Sequence, residues 1–343
     1  MKPVLMPPQR FAHFYRGGAR ITDLRGVPGP SDRSPEEWLA STTARCGAAP
    51  AGLSVLPDGR LLRDAVAGQP EAWLGPEHVA AFGVDTGLLV KLLDAGERLP
   101  VHLHPDRAWA SRHLGCPYGK TEAWYVVAAD EGARVHLGFC EDIPPAELAN
   151  RVERQDAAAL LDAMHVRTVS PGDGILVPAG WPHAIGAGIL VVEAQEPTDL
   201  SILLEWRGFD LNGSADGHLG VGFPTALRAV DVRARQPEQI DALVRRGTGE
   251  RADVLLDVLP GAADDYFRLH LARPASAVAV PAGFAVVVVL AGTGEVATGA
   301  AALPVSRGDV LTVPYDAGNW VLRGDADAVV CRSGLVAPER DES

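Results

Sequence analysis

Glycine and proline interrupt this chain at 37 and 27 of its 343 positions, respectively. Proline cannot continue a helix or donate within a sheet ladder, and glycine opens tight turns. A chain cut this often is therefore expected to fold as short strands joined by turns. Hydrophobic residues make up 47% of it, enough to bury a core and to exclude disorder as the main state. The length suits one large or two medium domains.

Short strands are expected at Leu88–Leu93, Val101–His104, Ala123–Ala129 and Ala133–Phe139. Upstream, Ser34 followed by Pro35-Glu36-Glu37-Trp38 reads as the capped start of a short helix. A helical insertion is expected over about 143–166, opened by Pro144-Pro145 and carrying Leu148, Val152, Leu160, Leu161 and Met164. Strands resume at Thr168-Val169, Gly174–Val177, Gly188–Ala194 and Asp199–Trp206. A looser connection over 211–250, with a helix expected from Pro237 to Arg246, leads to a second strand-rich part over 251–343. The turns Gly172-Asp173…Pro178 and Gly308-Asp309…Pro314 share one spacing, a weak internal repeat.

The sharpest chemical feature is His102-Leu103-His104. On a strand, residues two apart share a face, so both imidazoles project into one space. Glu122 and His183 follow on later strands. Three imidazoles and a carboxylate suit a divalent transition metal with positions left for water or substrate. Lys120 precedes Glu122 by two residues and shares its parity, so it can enter the same cavity. Alternation from Gly188 puts Ile189, Val191 and Glu193 on one face, and an acid closing an apolar face needs a partner. Glu193 is thus either an active-site carboxylate or a rim residue paired with a base such as Arg167.

The spacing Gly96, five residues, His102-x-His104 resembles the first cupin motif, and Gly172, five residues, Pro178-x-Gly180, two residues, His183 resembles the second. That resemblance implies a mainly β fold of two cupin-like jelly-roll or barrel domains. The first domain would span 1–210, carry the helical insertion and bind the metal. The last, over 251–343, would lack ligands, because Asn319 stands where the second-motif histidine would be.

The flanks are similar to type I mannose-6-phosphate isomerases. The likeness lies in Tyr15-Arg16-Gly17-Gly18, Glu37-Trp38-Leu39-Ala40-Ser41, Lys91-Leu92-Leu93-Asp94-Ala95, His104-Pro105-Asp106, Gly119-Lys120-Thr121-Glu122, Val177 to Ala184, and Glu193 with Thr198-Asp199. The resemblance implies an aldose–ketose isomerase moving a proton between C1 and C2 of a sugar or sugar phosphate. It implies one divalent metal, zinc before manganese or iron, on His102, His104, Glu122 and His183. Lys120, Glu193 and Arg207 are the candidate catalytic residues, and Trp38, Asp199 and Trp181 the candidate substrate contacts.

Three positions depart from that family's pattern. His102 replaces a glutamine ligand, Pro100 replaces a serine near the phosphate, and Leu203 replaces an arginine at the reacting centre. Arg207 lies four residues past Leu203, about 13 Å away on an extended strand, and substitutes only if the chain bends. The histidine-rich set also suits an iron or manganese cupin oxygenase, and the losses suit a non-catalytic, metal-containing sugar-binding protein.

Asp+Glu 44 against Lys+Arg 31 leaves a formal charge of −13, and no run of basic residues offers a surface for nucleic acid. The start of the chain, Met1 to Pro8, has no apolar run of signal-peptide length, and no stretch of about 18 or more uninterrupted apolar residues suggests a membrane span. Cys46, Cys116, Cys140 and Cys331 are scattered without a paired motif, as expected of reduced thiols in the cytoplasm. A charge of −13 also means that a phosphorylated substrate requires a locally positive cleft.

Overall fold

The computed structural model describes residues 1–247 and 251–338. Strands Val244–Arg245, Gly174–Val177, Glu122–Ala129, Ile189–Gln195, Leu89–Ala95, Glu36–Leu39 and Arg10–Phe11 lie in that order in a seven-stranded antiparallel sheet. Facing it is a five-stranded sheet ordered Ile202–Leu203, His102–Leu103, His183–Ile185, Arg134–Phe139 and Met164–Thr168. The helical insertion forms as Pro145–Arg154 and Ala157–Asp162. Leu148, Val152 and Leu160 from these helices pack with Val101, Leu103, Ala184 and Ile202 behind the five-stranded sheet.

The C-terminal part is a second sandwich. Six strands, ordered Val4–Leu5, Val310–Val313, Ala285–Ala291, Asp327–Ser333, Phe267–Arg273 and Ala252–Asp257, face a four-stranded sheet of Ala277–Val280, Trp320–Gly324, Thr293–Thr298 and Ala302–Ser306. The mainly β, jelly-roll architecture expected from the turn-rich sequence is the observed one. The start of the chain is an edge strand of this second sandwich, with Val4 opposite Thr312. Asn319 caps a turn there, its Oδ1 accepting from the Ala282 N–H at 2.9 Å.

The seven-stranded sheet is covered on both faces, which is why its strands read as continuous apolar runs. Ile189 and Val191 point into the first sandwich with Trp124, Val135 and Leu137. Leu190, Val192 and Ala194 point the other way and join Leu92, Phe267, Leu269, Val286 and Val329 of the C-terminal sheet. Two close backbone approaches fix the metal-motif turns. A Cβ on Gly96 would lie 2.3 Å from the Gly17 carbonyl oxygen. Gly180, at φ +83°, donates its N–H to the His104 carbonyl at 2.7 Å, joining the two motifs directly.

Pro35-Glu36-Glu37-Trp38 is not the start of a helix: Glu36–Leu39 is a buried strand against Leu89–Ala95. Its acids have tertiary partners, Glu37 pairing with Arg25 at 2.9 Å, and this pairing overrides the local capping signal. The expected strand Asp199–Trp206 is ordered only as Ile202–Leu203, and the helix at Pro237 ends at Asp241. Three helices, Leu62–Gly68, Pro70–Leu74 and Pro76–Phe82, had no clear sequence signal because each is two turns or fewer. Among the described residues, no helix is long and apolar enough to cross a membrane.

Leu92 is fully buried between the two sandwiches. Leu92→Ala is expected to lower unfolding free energy by about 2–5 kcal/mol, read from urea denaturation. Val254→Ala, at a 56% exposed edge position, is expected to change it by less than about 0.5 kcal/mol.

Candidate metal centre and its cavity

His102 stands directly opposite both His183 and Leu203, on the two neighbouring strands. The ligand nitrogens of His102, His104 and His183 lie within 4.8 Å of one another. Each Nδ1 is held by a backbone carbonyl: Pro100 for His102 at 2.9 Å, Leu200 for His104 at 2.8 Å, and Trp181 for His183 at 2.8 Å. An Nδ1–H donating to a carbonyl fixes the tautomer and leaves the Nε2 lone pair free for a cation. His183 Nε2 is buried with no hydrogen-bond partner. Glu122 closes the set, with Oε2 2.9 Å from His104 Nε2 and Oε1 3.4 Å from His183 Nε2.

The protonation states also fit a metal. Burial, reinforced by the Lys120 charge, pushes His104 down to about 3. Burial and the neighbouring histidines hold His102 well below its ordinary value. Burial alone would raise Glu122, but Lys120 and the histidines overcome it and keep the carboxyl well below the usual range. Neutral imidazoles and an ionised carboxylate are the forms that bind a divalent cation. Lys120 Nζ touches the set at 2.8 Å from His104 Nε2 and 2.9 Å from Glu122 Oε2.

These groups open into a cavity of about 610 Å³, a usual size for a small-molecule site. A second polar cluster lies on the inner face of the seven-stranded sheet. The register aligns Trp38, Lys91, Glu193 and Trp124 across four strands. Lys91 Nζ lies 3.3 Å from Glu36, 3.6 Å from Glu193 and 4.9 Å from the Trp38 ring centroid. Glu36 also accepts from Tyr15 Oη and, at 2.9 Å, from Trp38 Nε1. Burial and the Glu122 charge raise Glu193 to about 7 against the opposing pull of Lys91 and Lys120. Its Oε1 has no hydrogen-bond partner. A carboxyl poised near neutrality in a cavity is suited to accept and return a proton.

The structure brings His102, Glu122, Lys120, Glu193 and Asp199 to this cavity, with His104 and His183 completing the triad. Three expected residues lie elsewhere. Arg207 is exposed and donates to the Arg154 carbonyl, because the chain turns at Arg207-Gly208 instead of continuing as a strand. Trp38 is fully buried behind Lys91 and does not line the cavity. Trp181 is half-buried outside it, under the Arg235 guanidinium at 4.3 Å. Arg167 pairs with Asp241, not Glu193. Lys91, Glu36 and His13 were not anticipated as site residues. The available signal was a lysine at the centre of the apolar run Leu88–Leu93, on the inward parity.

A jelly roll with inward-facing, tautomer-locked imidazoles defines the cupin class. No family model matches the chain. It is, however, 31% identical to mannose-6-phosphate isomerase of Streptococcus mutans over 345 residues, covering 97% of this chain and 98% of that protein. It is 29% identical to mannose-6-phosphate isomerase ManA of Bacillus subtilis, covering 92% and 94%. The chain belongs to the mannose-6-phosphate isomerase family. Its fold is shared with the crystal structure of the Bacillus subtilis mannose 6-phosphate isomerase, at TM-score 0.74, 22% identity and coverage of 97% and 100%. It is shared equally with a phosphomannose isomerase variant from Salmonella typhimurium, at TM-score 0.74 and 15% identity, covering 98% and 100%.

Lys91→Ala would leave Glu36 and Glu193 facing each other without their cation. It is expected to lower unfolding free energy by about 3–5 kcal/mol in chemical denaturation. A loss below about 1 kcal/mol would show that the pair is not held by Lys91.

Proposed function

We propose that this protein interconverts mannose 6-phosphate and fructose 6-phosphate, or a closely related aldose and ketose phosphate. The observation that carries the reading is the tautomer-locked triad with Glu122, set beside Lys120 in one cavity of a chain that matches an isomerase along its length. One divalent metal, zinc first, would be held by His102, His104, Glu122 and His183. When bound, it supplies positive charge that stabilises the sugar oxygens as they gain negative charge.

The protein's own groups then handle the proton. Glu193 takes a proton from C2 of the aldose and, after exchange with solvent, gives one to C1 while the O2 hydroxyl proton passes to O1, which requires a carboxyl whose affinity for protons sits near neutrality. Lys91 fixes the orientation of Glu193 from the adjacent strand. Lys120 donates to a sugar oxygen and opposes the charge that builds there. Asp199, half-buried on the cavity wall, accepts from a sugar hydroxyl. Within the same proposal, 1–210 is the catalytic unit, 211–250 the connection and 251–343 a C-terminal unit without a metal. The four thiols are free, consistent with a cytoplasmic setting.

Steady-state kinetics and metal analysis test this. Protein loaded with zinc is expected to carry one metal per chain, and the double variant His102→Ala/His183→Ala less than a tenth of that (about one order of magnitude lost for two ligands). Glu193→Gln is expected to lower kcat about 100-fold or more while KM stays within a few-fold. Stoichiometric iron, oxygen consumption and no isomerisation would overturn the reading.

A further inference from the structure

Most charges lining the cavity face an opposite charge. Lys120 lies 2.9 Å from Glu122, and Lys91 lies between Glu36 and Glu193. Among the described residues lining the cavity, Arg45 is the cation without a carboxylate partner. Its Nε is buried and makes no hydrogen bond. Its Nη1 makes one long contact, 3.4 Å to the Ala12 carbonyl, and its guanidinium carbon lies 5.4 Å from the Phe11 ring centroid. A guanidinium with most of its N–H groups unused at a cavity wall is built to take an external anion.

The loop that presents Arg45 is fixed before any ligand arrives. The Arg45 N–H donates to the Ala51 carbonyl at 2.7 Å, and the Cys46 N–H to Asp199 Oδ2 at 3.1 Å. Gly52, at φ +97°, lets the returning backbone pass closely: a Cβ there would lie 2.8 Å from both Arg45 N and the Trp38 ring. Among the described residues lining the cavity, no other cation is free of a carboxylate. Leu203 stands opposite His102, and Leu211, Leu219 and the carboxylate of Asp216 also line the cavity. Glu36, Glu122, Glu193 and Asp199 add further acids, so a dianionic sugar needs a dedicated cation to enter.

We propose that Arg45 is the specificity-determining residue of this site and binds the phosphate of the sugar substrate through its free guanidinium N–H groups. The forked donors match phosphate oxygens better than an ammonium does. The substrate then spans the cavity, with its phosphate at Arg45 and its C1–C2 end at Glu193 and Lys120. The identity of the sugar rests on the isomerase reading above; anion capture by Arg45 does not.

The test compares metal-loaded wild type with Arg45→Gln and Arg45→Lys, using mannose 6-phosphate kinetics and calorimetric titration with inorganic phosphate. Arg45→Gln is expected to raise both KM and the phosphate Kd about 10- to 100-fold, with kcat within a few-fold. Arg45→Lys, which keeps the charge, recovers part of both and guards against a folding defect in the glutamine variant. Unchanged KM and phosphate affinity in Arg45→Gln, with isomerisation intact, overturns the role of Arg45 and leaves the isomerase reading standing. No isomerisation by wild type, with phosphate binding lost in Arg45→Gln, has the reverse meaning.

Discussion

A lysine ammonium held between two carboxylates inside a β sandwich is the constraint on which this molecule depends. Lys91, Glu36 and Glu193 are 3%, 5% and 3% exposed. Removing such charges from water is tolerable only in near-ideal geometry, because desolvation opposes each of them. The geometry comes from strand register, which sets Lys91 directly beside Glu193 and seats Trp38 and Trp124 at the two ends of the row. The tryptophan rings exclude water, which strengthens the attraction and at the same time raises Glu193 toward neutrality. A one-residue slip of any of these strands would turn the charged row into the apolar layer beneath the C-terminal sheet.

The imidazole triad depends on the same sheets through a different device. The carbonyls that fix the three rings belong to Pro100, Leu200 and Trp181, none of which lies within a strand. The strands set where the histidines stand, and the flanking turns set which nitrogen points inward. Gly180 links these turns by donating to the His104 carbonyl. That contact gives a physical reason for the spacing of the second motif: the turn must meet the first histidine strand before its own histidine arrives.

The parts of this architecture legible in the sequence were those governed by strand parity. His102 and His104, Glu122 with Lys120, and Glu193 with Val191 each share a face at two-residue spacing, and the structure keeps each relation. What the sequence hid was governed by tertiary contact. Arg207 lies beyond the strand's end at Leu203, where Gln155 Oε1 accepts from the Trp206 and Arg207 N–H groups and the Arg207 side chain reaches the Arg154 carbonyl instead of the cavity. Glu36 and Trp38 looked helical because Ser34 and Pro35 imitate a cap, while the partners that pull them into a strand lie more than fifty residues on, at Leu89–Ala95. Arg45 carries no local pattern at all; only the fold shows that, among the described residues, it is the cavity cation without an acid.

The charge of −13 takes a sharper meaning in this light. The acids within the cavity make entry of a sugar phosphate depend on a few placed cations. The central claim is that Glu193, in this cavity, moves a proton between adjacent sugar carbons. Nuclear magnetic resonance of mannose 6-phosphate incubated in D₂O with the metal-loaded protein tests it most directly. The account predicts deuterium at C2 of the recovered aldose and at C1 of the fructose 6-phosphate formed. Sugar recovered without label from protein carrying its full metal contradicts it.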